Sequence, residues 1–110
     1  MTKLKIKGHL WIESNKGHLI GPGRKELLEA IRDHGSITLA AKKMKMSYRH
    51  AWEMINDMNK NSARPIVVKN PGGINGGGSS ITDEGKKLIA EFIKISREFE
   101  KFKFQLNKKI

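Results

Sequence analysis

The 110-residue chain has no cysteine. Disulfides, thiolate metal sites and a cysteine nucleophile are therefore excluded. No apolar run approaches the ~20 residues of a membrane span. The opening MTKLKIKGHLWIE alternates charge with apolarity and contains no secretion-signal core. A cytoplasmic location is expected. His9, His18, His34 and His50 share no i, i+4 spacing and form no ligand cluster. The nucleophile motif G-x-S-x-G and the zinc motif H-E-x-x-H are both missing. Glu26 with Glu29, and Asp83 with Glu84, are explained by an exposed helix face and a helix start rather than by acid–base work. Neither an enzyme nor a cofactor is expected.

Acidic residues are also scarce. There are 22 Lys and Arg against 11 Asp and Glu, a net charge of +11. Residues 1–82 carry 14 basic and 6 acidic side chains, and residues 83–110 carry 8 and 5. Such an excess favours a polyanionic partner, nucleic acid or an anionic membrane surface, over a merely soluble basic protein. The length suits one domain with a modest core.

The stretch from Gly35 to Met58 organises the rest. Gly35 ends one helix and Ser36 N-caps the next. Ile37, Ala40, Ala41 and Met44 then fall at helical spacing. Lys45-Met46 forms a turn, with lysine where many such turns carry glycine, and Ser47 caps a further helix. That helix groups Ala51, Trp52, Ile55 and Met58 on one face. Arg49, His50, Glu53 and Asn56 lie on the other, with Ser47 and Tyr48 at its start. Trp52 is thus expected in the core, where Trp52→Ala would cost roughly 3–5 kcal/mol. Two amphipathic helices can simply pack on a core, but a hidden first face and a polar second helix also describe a DNA-binding helix-turn-helix.

The flanking chain discriminates between these. Leu4, Ile6, Leu10 and Ile12 alternate with polar residues and predict a strand, with a possible bulge at Gly8. Ser14 to Gly17 is a turn and His18 to Ile20 a return strand. Trp11 is left on the polar face, free to meet a helix or a partner chain. Pro22 opens a helix carrying Leu27, Leu28 and Ile31. Asn61 to Pro65 is a loop. Ile66 to Lys69 is a strand rich in β-branched residues. A loop with five glycines follows, and Ser80-Ile81 returns. Strand, glycine-rich loop and strand directly after a helix-turn-helix make a wing. A nucleotide-binding loop is rejected, because Ser79 stands where the phosphate-binding lysine would be and no helix follows directly. Loop glycines can serve backbone geometry alone; bare N–H groups can also meet DNA phosphate.

Thr82 caps the last helix, and Asp83 and Glu84 suit its positive end. Leu88, Phe92, Ile95, Phe99, Phe102 and Leu106 follow spacings of 4, 3, 4, 3 and 4, a heptad seam. Ile89 and Ile93 widen its first half, which should support the core. The narrow second half, with Phe99, Phe102 and Leu106, suits a second subunit, or alternatively packing on the N-terminal hairpin.

The expected fold is mainly α with small β: a winged helix-turn-helix with an N-terminal β-hairpin and a long C-terminal helix. One domain over 1–110 divides into a hairpin (1–20), helix-turn-helix and wing (22–82) and a dimerisation helix (83–107). Base contacts are expected from Ser47, Tyr48, Arg49, His50, Glu53 and Asn56. Phosphate contacts are expected from Lys42, Lys43, Lys45, Lys60, Arg64 and Lys69. The wing comprises Gly72, Gly73, Asn75, Gly76, Gly77, Gly78 and Ser79. A sequence-specific regulator, a non-specific chromosome-coating protein and a helix-turn-helix interaction module all remain open.

Several of these segments together resemble the DNA-binding domain of ModE-type molybdate-responsive transcription regulators. They are GRKELLEAI (23–31), GSITLAAKKM (35–44), SYRHAWEMINDMN (47–59), PIVVK (65–69) and GGINGGGSSITDEG (72–85). The helix-turn-helix part is more distantly similar to LysR-type regulators. The ModE resemblance implies a prokaryotic, nucleoid-associated homodimer on a palindromic double-stranded operator. It supports Ser47, Tyr48 and Arg49 at the start of the reading helix, and the wing from Gly72 to Ser79. Full-length members continue into molybdate-binding domains where this sequence stops at Ile110. The expectation is a stand-alone regulator that does not itself bind molybdate.

Overall fold

The computed structural model describes residues 2–71 and 78–110. The elements run β1 (Ile12–Ser14), β2 (Gly17–Ile20), α1 (Pro22–His34), α2 (Ile37–Lys43), α3 (Tyr48–Asn61), β3 (Val67–Lys69), β4 (Ser79–Ile81) and α4 (Asp83–Asn107). The architecture is mainly α, with two antiparallel strand pairs, β1–β2 and β3–β4.

The helix ends follow from their residues. Pro22 occupies the first turn of α1, where its missing N–H has no intrahelical partner to lose. Gly35 closes α1 in the left-handed conformation at φ 68°, and its N–H donates to Ile31 O at 2.7 Å. Hydroxyl oxygens cap the next three helices. Ser36 accepts from Leu39 N at 3.2 Å, Ser47 from His50 N at 3.0 Å and Thr82 from Gly85 N at 3.0 Å. Each cap contributes about 1 kcal/mol. Between α2 and α3, Lys45 takes a positive φ of 57° while Met46 N donates to Ala41 O at 3.0 Å. The position conventionally left to glycine is thus held by a lysine.

Every helix contributes to one buried cluster. α1 supplies Leu27, Leu28, Ala30 and Ile31, α2 supplies Ile37, Ala40 and Ala41, and α3 supplies Ala51, Ile55 and Met58. Ile20, Ile66, Val67, Ile81, Ile89 and Phe92 complete it. Ala40 and Ala51 are wholly buried, and their small side chains let α2 and α3 approach closely.

Polar side chains fasten the strand pairs to this core. Asn59 Oδ1 accepts from Ile66 N at 2.7 Å and Val67 N at 3.1 Å, and its Nδ2 donates to Val67 O at 3.0 Å. One amide therefore pairs the exposed backbone edge of β3 as a neighbouring strand would. Asn61, expected in a loop, is instead the buried last residue of α3. Its Nδ2 donates to His18 O at 2.8 Å, and its carbonyl accepts from Ser14 Oγ at 2.6 Å. Arg24 joins α1 to both neighbours, donating to His18 O at 2.8 Å and pairing with Asp57 at 2.6 Å.

Two expectations change near the N-terminus. The strand begins at Ile12 rather than Leu4, and the register irregularity lies between Ile12 and Glu13 rather than at Gly8. Ile6 and Gly8 lie beside α4 instead. Asn107 Oδ1 accepts from Ile6 N at 2.8 Å, its Nδ2 donates to Ile6 O at 3.2 Å, and Lys103 Nζ donates to Gly8 O at 3.0 Å. Helix side chains thus take the backbone groups that a partner strand would have paired, and period-two alternation cannot distinguish the two settings.

Lys45→Gly should stabilise the protein. A left-handed lysine costs roughly 1–2 kcal/mol, and glycine's extra unfolded freedom returns about 0.5–1. A net gain of roughly 0.5–1 kcal/mol should appear in urea denaturation. Gly85→Ala should act oppositely. Its Cβ would stand 2.5 Å from Ile66 O and 2.7 Å from Ile81 Cγ2, so a loss of about 1–3 kcal/mol is expected in the same measurement.

Candidate nucleic-acid interface

The first turn of α3 begins at the Ser47 cap, and the helix buries Ala51, Ile55 and Met58. That rotation fixes what the other side presents. Ser47, Tyr48, Arg49, His50, Glu53 and Asn56 are all exposed. The Arg49 and Glu53 side chains meet one turn apart, with Nε donating to Oε1 at 3.1 Å. Lys42 and Lys43 end α2, Lys45 holds the turn, and Lys60 lies in the last turn of α3. Arg64 follows that helix and Lys69 ends β3. These six cations are exposed. None of them is in an ion pair among the described residues, whereas Arg24, Lys25, Arg32, Arg49, Lys101 and Lys103 are.

Trp52 is misplaced in the sequence reading. It is 42% exposed, not buried. Successive helical residues lie ~100° apart, so a face centred on Ala51, Ile55 and Met58 leaves Trp52 at its margin. Tyr48, one turn before it, is 47% exposed, and Leu39 on α2 is 50% exposed. The helix pair therefore exposes large apolar groups as well as cations. The spacing of Tyr48 and Trp52 at i, i+4 is the signal that would have located the tryptophan.

The base of the β3–β4 hairpin is well defined. Val67, Val68 and Lys69 pair with Ile81, Ser80 and Ser79. Asn70 N donates to Gly78 O at 3.0 Å and Ser79 N to Gly35 O at 2.9 Å. Gly78 has φ 68°, and a Cβ there would collide with the Gly35 carbonyl. Ser79, expected on the wing surface, is buried in β4. Gly72, Gly73, Asn75, Gly76 and Gly77 lie outside the described residues.

In α4 the buried positions are Gly85, Ile89 and Phe92, all in its first half. Further along, Phe99 is half-buried near Gly8, Leu106 is half-buried, and Phe102 and Phe104 are 59% and 61% exposed. An open groove of about 1090 Å³ is bounded by this half of α4, the N-terminal segment and the start of α1, with Ile6, Leu10, Phe99 and Phe104 among its walls. No group of His, Asp or Glu among the described residues is arranged to hold a metal. No helix is long and apolar enough to cross a membrane.

Fold and surface together define a small, mainly helical chain built on a capped helix pair with a cationic outer face. No family model matches it. It is 35% identical over 100 residues to the molybdenum transport protein ModE of Azotobacter vinelandii, covering 91% of this chain and 37% of that one. It is 40% identical over 91 residues to the transcriptional regulator ModE of Haemophilus influenzae, covering 83% and 36%. The DNA-binding transcriptional dual regulator ModE of Escherichia coli K12 is 43% identical over 68 residues, covering 62% and 26%. Over most of its own length the chain is thus homologous to ModE-type regulators, and it spans little more than a third of the length of the first two relatives.

Trp52→Ala should leave a folded protein. A loss of roughly 1–2 kcal/mol is expected, below the ~3–5 of a fully buried tryptophan. Met58→Ala, at a wholly buried position, should cost about 2–5 kcal/mol. Chemical denaturation of the two variants compares them directly.

Proposed function

We propose that the chain is a sequence-specific, DNA-binding transcription regulator of winged helix-turn-helix type that binds a palindromic operator as a homodimer. The observation that carries this reading is the outer face of α2 and α3. Arg49 is exposed there, and Lys42, Lys43, Lys45 and Lys60 of the same helix pair are exposed and outside any ion pair among the described residues, in a chain homologous to named transcriptional regulators. In this reading α3 enters the major groove and β3–β4 with its loop is the wing. Arg49 donates to guanine, and Ser47, Tyr48, His50 and Asn56 meet neighbouring base edges or sugars. Lys42, Lys43, Lys45, Lys60, Arg64 and Lys69 neutralise phosphates.

The dimer is placed on the second half of α4, through Phe102 and Leu106 with Phe99 at the edge. What supports it is apolar area: Phe102 and Phe104 are more than half exposed, a poor fit to water. Two subunits related by a two-fold axis present their reading helices about 34 Å apart, which requires an inverted repeat.

Selection of duplexes from a random pool, followed by affinity measurements across a salt series, tests the function. A selective protein with a steep salt dependence is expected, at about −0.9 in log–log slope per phosphate neutralised. Lys43→Ala or Arg64→Ala should weaken every duplex alike and lower that slope by about 1. Arg49→Ala should cost roughly 1–3 kcal/mol at one base position only. Equal affinity for all duplexes would replace the regulator with a non-specific DNA coat. Phe102→Glu should yield a folded monomer by sedimentation with strongly reduced affinity, since each half-site then binds without its tethered neighbour. A dimeric Phe102→Glu protein would move the interface off α4.

A further inference from the structure

Glu53 is out of place on a polyanion-binding face. From His34 to Trp52 the chain has Lys42, Lys43, Lys45 and Arg49 and no acidic residue. Asp57, the other carboxylate of α3, is engaged by Arg24. Glu53 projects from the outer face with its side chain 55% exposed. A carboxylate there repels phosphate and opposes binding to any nucleic acid. Its pairing with Arg49 gives little stability in return, since both groups are exposed and solvent-screened.

The geometry of that pairing suggests its use. An arginine can meet guanine O6 and N7 either end-on, through its two terminal nitrogens, or side-on, through Nε and one of them. Arg49 Nε already donates to Glu53 Oε1 at 3.1 Å. Only the terminal nitrogens remain free. A guanidinium held at one edge also loses less rotamer freedom when it binds.

We infer that Glu53 is a positioning residue that ties the Nε of Arg49, so that the guanidinium is presented end-on to one guanine. Glu53 thereby trades general affinity for discrimination: its charge weakens attachment to every duplex, and its acceptor oxygen sharpens the choice of base. The inference rests on the DNA-reading role proposed for α3 and adds how that helix selects.

The test uses the whole chain as wild type, Arg49→Ala, Glu53→Ala and Glu53→Gln. A duplex selected by the wild type is altered one base pair at a time, and dissociation constants are read by fluorescence anisotropy. A scrambled duplex is measured beside it. Glu53→Ala should relax preference at the same base pair as Arg49→Ala, by roughly tenfold. It should also bind the scrambled duplex several-fold more tightly, because a repulsive charge has gone. Glu53→Gln keeps an oxygen that can accept from Nε, so it should retain most of the base preference while sharing the tighter scrambled binding. Two results overturn the inference and leave the regulator reading intact: unchanged preference in Glu53→Ala, or relaxation at a different base pair, which would mean that Glu53 reads a base itself. A wild type without any base preference would remove both.

Discussion

The peptide at Gly35 carries three duties at once. Its left-handed φ ends α1, and its N–H is satisfied by Ile31. Its carbonyl accepts from Ser79 N, which anchors β4. The next residue, Ser36, caps α2. The end of one helix, the start of the next and the root of the hairpin therefore share a single backbone corner. Any shift of that corner moves α2 and β4 together. Gly78, whose missing Cβ permits the approach, is the matching constraint on the hairpin side.

A second set of constraints is polar and internal. Asn59, Asn61 and Arg24 bind backbone carbonyls and amides that would otherwise lack partners at the ends of short strands. Unpaired polar groups in such positions are costly, and no buried side-chain polar atom among the described residues is left unsatisfied. These contacts use neutral amides and one arginine. The lysines of α2, the turn and the end of α3 take no part in holding the fold together, so their charge stays directed at solvent. A chain with +11 net charge accepts the resulting self-repulsion.

Much of this was legible in the sequence because it is local. Serine and threonine caps, a glycine stop, a proline start and β-branched strands each act within a few residues, and Ser36, Ser47, Thr82, Gly35 and Pro22 stand where their chemistry puts them. The core faces of α1 and α2 follow from helical period alone. What failed was non-local or marginal. Trp52 sits at the border of a helical stripe, where its size argued for burial but its angle did not. Asn59 and Asn61 looked like ordinary polar helix and loop residues, because their partners lie in β3 and β2. The alternating segment before Ile12 carries a strand pattern, but Asn107 and Lys103, about a hundred residues away, occupy its backbone. Of the candidate interface, the exposed polar residues of α3 could be located from the wheel, whereas the pairing of Arg49 with Glu53 required coordinates.

The clamp between Ile6 and Asn107 closes a loop of nearly the whole chain. Helices α1 to α3 fold on near neighbours, whereas this contact must overcome the largest closure entropy in the molecule. It also buries little: its own segment is mostly exposed, and α4 has no buried residue beyond Phe92. Contacts of that kind form late and open early. The arm beside α4 is thus the natural first step of unfolding. Its release would strip one flank from Phe99 and widen the apolar surface of the outer half of α4 while the helix pair and its cationic face remain intact.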